Sequence, residues 1–135
     1  MSTASLENSK RLYELSGWDD MPGETSYDWH NMVNDEWELL EKTFFSSDAA
    51  KGRHLAEKLY PAYDAGYLLR KLEPLELQSC INYCQHYDGS RNYCASYDPF
   101  NVEDQETGKA IFAYADTPED ALCLLAIKLF EEGVL

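Results

Sequence analysis

A thiol and an imidazole lie two residues apart near the middle of this chain. Cys84 and His86 share a face if the segment is a strand, and Cys80 shares that face with them. A thiol beside an imidazole is the pair that nucleophilic catalysis uses. Neighbours two apart on a strand are near the limit of hydrogen-bond reach, and no loop or helix terminus activates the thiol. We therefore expect no catalytic residue, with a small thiol enzyme using Cys84 and His86 as an alternative.

The same residues raise the question of zinc, which prefers four Cys or His ligands at short paired spacings. Cys94 falls opposite Cys84 only if the hairpin between them has a three-residue loop at 88–90, and a two-residue Asp88-Gly89 turn offsets them. The four cysteines of the chain show no C-x-x-C spacing. We therefore expect no metal and no cofactor.

Tyrosine is the most over-used residue type, with ten copies. Tyrosine suits binding surfaces because it brings a large contact area at a low cost in conformational entropy. It also suits β-strands, so its abundance is explained equally well by strand formation. The candidate partner-binding tyrosines lie on or near the expected hairpin: Tyr83, Tyr87, Tyr93 and Tyr97.

The chain is strongly acidic, with 25 Asp and Glu against 11 Lys and Arg and a net charge of −14. Such a chain repels nucleic acid and anionic membranes, and its natural complement is a protein with a basic surface. One candidate acidic set recurs at three-residue steps on an expected helix, and comprises Asp35, Glu38 and Glu41. The other lies in an acidic loop over 98–108, and comprises Glu103, Asp104 and Glu106.

The elements that position these residues follow from the hydrophobic periodicity. Three helices are predicted before the hairpin: Ser5–Ser16, which Gly17 ends, Tyr27–Phe45, and Pro61–Leu72. The apolar period then changes to two, which predicts strands from Leu75 to Cys84, Tyr93 to Tyr97 and Lys109 to Ala115.

A last helix is indicated by Thr117 as a cap, Pro118 in the first position and Gly133 just past the end. The resulting fold class is α+β, with N-terminal helices, a three-stranded antiparallel β-meander and a C-terminal helix packed on the sheet. At 135 residues, a single domain over 1–135 is the expectation.

The chain lacks the signals of export. No run approaches the roughly 18 apolar residues of a membrane span. Its first ten residues, MSTASLENSK, have neither a basic nor an apolar stretch, which is unlike a secretory signal. We therefore expect a cytoplasmic protein, in a bacterial host cell if the resemblance described next holds, with all four thiols reduced.

Three segments resemble small proteins encoded by bacteriophages and prophages: LYELSGW at Leu12–Trp18, YPAYDAGYLLRKL at Tyr60–Leu72, and Tyr114–Leu135. They are similar to an uncharacterised group described as a phage α-β-α sandwich domain. The resemblance covers about a third of the chain and is most specific at the C-terminus. It implies a fold and a phage or prophage origin, and it brings no catalytic residue.

Charge, tyrosines and resemblance together predict a small, acidic, non-enzymatic protein-binding module. A second hypothesis is an acidic inhibitor that mimics nucleic acid and occupies the basic groove of a host nucleic-acid-binding protein, with a defence system as one target. The thiol enzyme is the third.

Overall fold

A computed structural model describes residues 2–21, 27–31, 36–41, 59–75, 81–97 and 110–135. The chain is α+β, as predicted, but it has two three-stranded antiparallel sheets instead of one meander. It forms two compact units, residues 1–64 and 65–135.

The first unit begins with helix α1 (Leu6–Ser16), and both of its ends follow from local sequence. The Ser5 side chain accepts a hydrogen bond from the backbone N–H of Asn8 at 3.3 Å, which satisfies one of the unpaired amides of the first turn. Gly17 adopts a left-handed conformation with φ 67° and donates its N–H to the Tyr13 carbonyl. The predicted first helix and its glycine stop are confirmed.

The helix predicted over Tyr27–Phe45 is wrong. The described residues of this segment are two antiparallel strands, β1 (Tyr27–Asn31) and β2 (Trp37–Glu41), with Trp29 opposite Leu39. The three- and four-residue spacing of its large apolar residues is compatible with a helix. Within the two strands, large apolar residues also recur at every second position, as Tyr27 and Trp29 in β1 and Trp37 and Leu39 in β2. Pairing between strands, which no local pattern reports, decided the outcome.

The helix predicted over Pro61–Leu72 begins later than expected. Residues Leu59–Ala62 are strand β3, which pairs with β1 and makes the sheet order β2-β1-β3. Pro61 therefore lies in a strand at the edge of a sheet, where a residue without an N–H is tolerated. Helix α2 runs only from Ala65 to Leu72.

Aromatic side chains join α1 to the first sheet. The Trp29 indole donates a hydrogen bond to the Ala4 carbonyl at 3.2 Å. The Tyr60 ring stacks on Trp37 at 5.6 Å and meets the edge of Tyr13 at 5.9 Å. These contacts join half-buried aromatic side chains that lie on one face of the sheet at alternating positions.

The second unit contains the predicted meander. A 3-10 turn (Glu73–Leu75) follows α2, and the strands are β4 (Ile81–Gln85), β5 (Arg91–Tyr97) and β6 (Ile111–Ala115), in the order β4-β5-β6. The first strand was predicted to begin at Leu75, which instead lies in the turn. Positions 76–80, which complete that prediction, lie outside the described residues.

The C-terminal helix α3 (Pro118–Glu131) has the predicted ends. Thr117 Oγ1 accepts a hydrogen bond from the Asp120 N–H at 3.2 Å. At the other end, the Gly133 N–H donates to the Phe130 carbonyl and the Val134 N–H to the Leu129 carbonyl, with Gly133 at φ 77°. This pair of bonds is a Schellman motif, which requires the left-handed conformation that glycine adopts without steric cost.

Small residues let α3 pack closely on β5 and β6. Ala95 and Ala113 lie opposite one another in the register and are fully buried. Leu122, Leu125 and Leu129 of α3 are fully buried, and α3 also contacts α2. A helix with apolar residues on most of its circumference is thus covered by a sheet and by a second helix of the same unit.

In the part of the chain that the structure describes, no helix combines the length and the apolarity needed to cross a membrane.

Candidate partner-binding surface

The β4–β5 hairpin ends in a three-residue loop, Tyr87 to Gly89. The His86 N–H donates to the Ser90 carbonyl at 2.8 Å and the Gly89 N–H to the His86 carbonyl at 3.0 Å. Gly89 has φ 86°, the left-handed residue that closes such a loop. The loop therefore lies at neither the two-residue position (Asp88-Gly89) nor the three-residue position (88–90) considered from the sequence.

Hydrogen bonds inside the loop hold its conformation. Asp88 Oδ1 accepts from the Ser90 backbone N–H at 2.9 Å and from the Ser90 hydroxyl at 2.6 Å. These two bonds favour the carboxylate and hold the pKa of Asp88 below its ordinary value, with a smaller contribution from His86. The tip is thus a defined turn that carries Tyr87.

Two of the four candidate tyrosines are strongly exposed. Tyr87 is fully exposed at the tip, and Tyr83 on β4 is 58% exposed. Tyr83 lies directly opposite Tyr93, and their rings are 5.0 Å apart. Tyr93 and Tyr97 are half-buried on β5. The structure therefore brings Tyr83 and Tyr93 together, with Tyr87 four residues beyond Tyr83 at the tip and Tyr97 four residues beyond Tyr93 on β5.

Residues with even numbers form the other face of this sheet, away from α3. We call this the thiol face, and it comprises Cys84, His86, Asn92, Cys94, Phe112 and Tyr114. Phe112 is 46% and Tyr114 49% exposed, and sequence reasoning missed both. The signal was present in IFAYA, where alanines alternate with aromatics, because a helix packs closely only on the small side chains.

The imidazole of His86 is engaged by an amide and a ring, both on the thiol face. Its Nε2 lies 2.6 Å from Asn92 Oδ1, and its ring meets Tyr114 edge-on at 5.4 Å. The Cys84 thiol points to the backbone carbonyl of Asn82, at 3.9 Å. A ring nitrogen held by Asn92 is not placed as a base for that thiol.

Cys94, opposite Tyr114, is a protected thiol. It is only 7% exposed, and burial is the main reason that its pKa is raised, with a further contribution from Cys84. The neighbouring Cys94 in turn raises the pKa of the Tyr114 hydroxyl. Within α3, burial raises the pKa of Cys123 strongly. Cys84, Cys94 and Cys123 are free thiols, and Cys80 lies outside the described residues.

The register does not assemble the four-ligand zinc site considered from the sequence. Cys84 lies opposite Asn92, and Cys94 opposite Asn82, so the two cysteines are offset by two residues. Among the described residues, no group of three or more His, Cys, Asp and Glu is arranged to hold a metal ion.

The prediction that Asp35, Glu38 and Glu41 form a stripe on a helix is wrong for its described members, because Glu38 and Glu41 lie on strand β2. Glu38 is exposed on β2, and Glu41 is three residues farther along the same strand. Residues an odd number of positions apart on a strand point to opposite faces of the sheet, so Glu38 and Glu41 do not form one row. Asp35, together with Glu103, Asp104 and Glu106, lies outside the described residues.

A depression of about 650 Å³ lies beside the hairpin tip, and its lining includes Gln85, His86, Tyr87 and Asp88. An aromatic residue, an imidazole residue and a carboxylate residue therefore share its lining. Such a mixture of an aromatic ring with polar groups is suited to contact with a protein surface.

Comparison of the chain with protein-family models, with curated proteins and with solved structures finds no match in any of the three.

Proposed function

We propose that this chain is a small, non-enzymatic protein-binding module, and that the tip of the β4–β5 hairpin with its exposed aromatics is its contact surface. The observation that carries the proposal is the exposure of Tyr87 on a turn held by its own hydrogen bonds, together with the exposure of Tyr83 on the adjoining strand β4. Tyrosines on a fixed backbone are typical of binding hot spots, because little entropy is lost when they are covered.

The partner that fits is a protein with a basic surface, and a phage or prophage origin with action in the host cytoplasm is part of the same proposal. A net charge of −14 attracts such a surface over distances beyond direct contact. Electrostatic attraction speeds encounter, and the aromatic tip then supplies the contacts that slow dissociation.

The test is a capture experiment with matched variants. Wild type, Tyr83→Ala/Tyr87→Ala and Leu59→Ala are each immobilised and exposed to bacterial lysate. Leu59 is a half-exposed apolar residue of the first unit and serves as the control. We expect a protein that wild type and Leu59→Ala retain and the tyrosine variant loses. If the tyrosine variant retains every protein that wild type retains, the hairpin tip is not the contact surface.

Two alternatives have weaker support. The nucleic-acid mimic rests on the net charge and on the acidic set of Glu103, Asp104 and Glu106, since Glu38 and Glu41 do not form one row on β2. The thiol enzyme is disfavoured by the pairing of His86 with Asn92.

A further inference from the structure

Two thiols are diagonal neighbours on the thiol face. Cys84 lies on β4 opposite Asn92, and Cys94 is two residues beyond Asn92 on β5. Residues two apart on a strand point to the same side, so both cysteines are on one face of adjacent strands. Cys94 is only 7% exposed, whereas Cys84 is half-buried. Solvent therefore reaches the pair at Cys84.

The two thiols are close enough to interact. The presence of Cys84 adds to the effect of burial in raising the pKa of the Cys94 thiol. Tyr114 lies opposite Cys94 on β6, and both cysteines contribute to raising the pKa of its hydroxyl. The three groups therefore form one cluster across three strands.

The diagonal spacing decides which chemistry suits the pair. Diagonal neighbours across a sheet are typically about 7–8 Å apart, with their Cβ atoms somewhat closer. The side chains of Cys84 and Cys94 nevertheless reach hydrogen-bond contact as free thiols, whereas a disulfide would draw their sulfurs to about 2.05 Å. Two metal–thiolate bonds of about 2.3 Å each separate the sulfurs by up to about 4.6 Å. An interposed ion therefore leaves the two sulfurs nearer to their hydrogen-bonded separation than a disulfide does.

We propose that Cys84 and Cys94 form a two-thiolate binding site for a soft monovalent cation of the Cu(I) class. Soft thiolates select Cu(I), whereas zinc requires more ligands than the described residues bring together. Binding forms two copper–sulfur bonds and releases the proton of each thiol to solvent. Nothing is oxidised or reduced, and the charge of the site falls from zero to minus one.

The test is an anaerobic titration of the full chain with Cu(I) supplied as its bicinchoninate complex. A Cys80→Ser background leaves Cys84, Cys94 and the fully buried Cys123 as the only thiols. We expect one Cu(I) to be withdrawn from bicinchoninate for each chain, with release of protons. We expect this withdrawal to be lost in Cys84→Ser and in Cys94→Ser.

A second measurement avoids substituting the buried Cys94. Alkylation of the Cys80→Ser protein is mapped by mass spectrometry with and without Cu(I). Cu(I) should protect Cys84 from alkylation, and Cys123 should be unaffected. The proposal is overturned if the Cys80→Ser chain withdraws no copper, if either single variant still withdraws it, or if Cys84 is alkylated at the same rate in both conditions.

Discussion

At the residue scale, the hairpin tip shows how one side chain organises its neighbours. Asp88 accepts two hydrogen bonds from Ser90, and these bonds favour its charged form. A group whose pKa is lower in the folded state stabilises that state above its unfolded pKa, and the stabilisation is lost as pH falls through the folded pKa. These bonds therefore stabilise the tip fully above pH 3.8, and their contribution is lost as the pH falls through the lowered pKa of Asp88.

Ser90→Ala should raise the pKa of Asp88 towards its ordinary value. The variant removes the hydroxyl bond, which is the largest cause of the lowered pKa, and leaves the backbone bond in place. Ser90→Thr retains a hydroxyl and should leave the pKa low. A carboxyl-carbon NMR titration of Asp88 measures each value. An unchanged pKa in Ser90→Ala would show that the hydroxyl bond does not stabilise the carboxylate.

At the element scale, α3 is defined by its two ends and by the surface it buries. Its cap and its Schellman motif use residues within a few positions of each end. Its packing depends on partners distant in sequence, namely the alanines of β5 and β6 and the residues of α2. The two contributions can be measured separately by substitution.

Thr117→Ala should destabilise the protein by about 0.5–2 kcal/mol, since the Asp120 N–H loses its acceptor. Thr117→Ser keeps the acceptor oxygen and should cost less. Chemical denaturation of the three proteins gives the free energies of unfolding. Equal losses in both variants would mean that the threonine methyl group, and not the hydroxyl, is responsible.

Leu125→Ala should destabilise the protein by about 2–5 kcal/mol, because the side chain is fully buried and leaves a cavity. Leu124→Ala is the matched control. Leu124 is half-buried on the same helix, and its substitution changes helix propensity by the same amount. Denaturation midpoints should shift more for Leu125. A loss below about 0.5 kcal/mol at Leu125 would contradict its place in the core.

At the scale of the whole molecule, net charge acts on encounter with other molecules more than on the fold. The excess carboxylates are distributed along the sequence. Glu38 and Glu41, which were predicted to lie in one acidic row, do not form a row on strand β2. Long-range attraction to a basic partner does not require such a row, since it depends on the summed charge.

Binding of the captured partner should weaken as salt rises, because the Debye length shortens from about 10 Å at 0.1 M to about 3 Å at 1 M. Reversing Glu103, Asp104 and Glu106 to lysine should slow association more than it speeds dissociation. Reversal of Glu7, Glu14 and Glu131 gives the same net charge as a control. Surface plasmon resonance measures both rates. Affinity that is independent of salt and of both reversals would eliminate an electrostatic role for the acidic surface.

Sequence alone determined those features whose causes are local. The limits of α1 and α3 follow from Ser5, Gly17, Thr117 and Gly133, each of which bonds to backbone within a few residues. The alternation along β4 to β6 likewise predicted the meander. Together with the end signals of the last helix, it predicted the α+β class and a C-terminal helix packed on the sheet. The exposed Tyr87 follows from its place beside a turn signal, Asp88-Gly89.

Only the tertiary structure decided the features that depend on pairing between distant residues. Trp29 and Trp37 lie in strands because β1 pairs with β2 and with β3, and a helical spacing of apolar residues carries no information about that pairing. The hairpin has its loop at Tyr87–Gly89, and not at either of the two positions considered from the sequence. The register that follows from this loop makes Cys84 and Cys94 diagonal neighbours. Hydrogen bonds and side-chain packing across strands set such registers, and they act between residues that the linear pattern keeps apart.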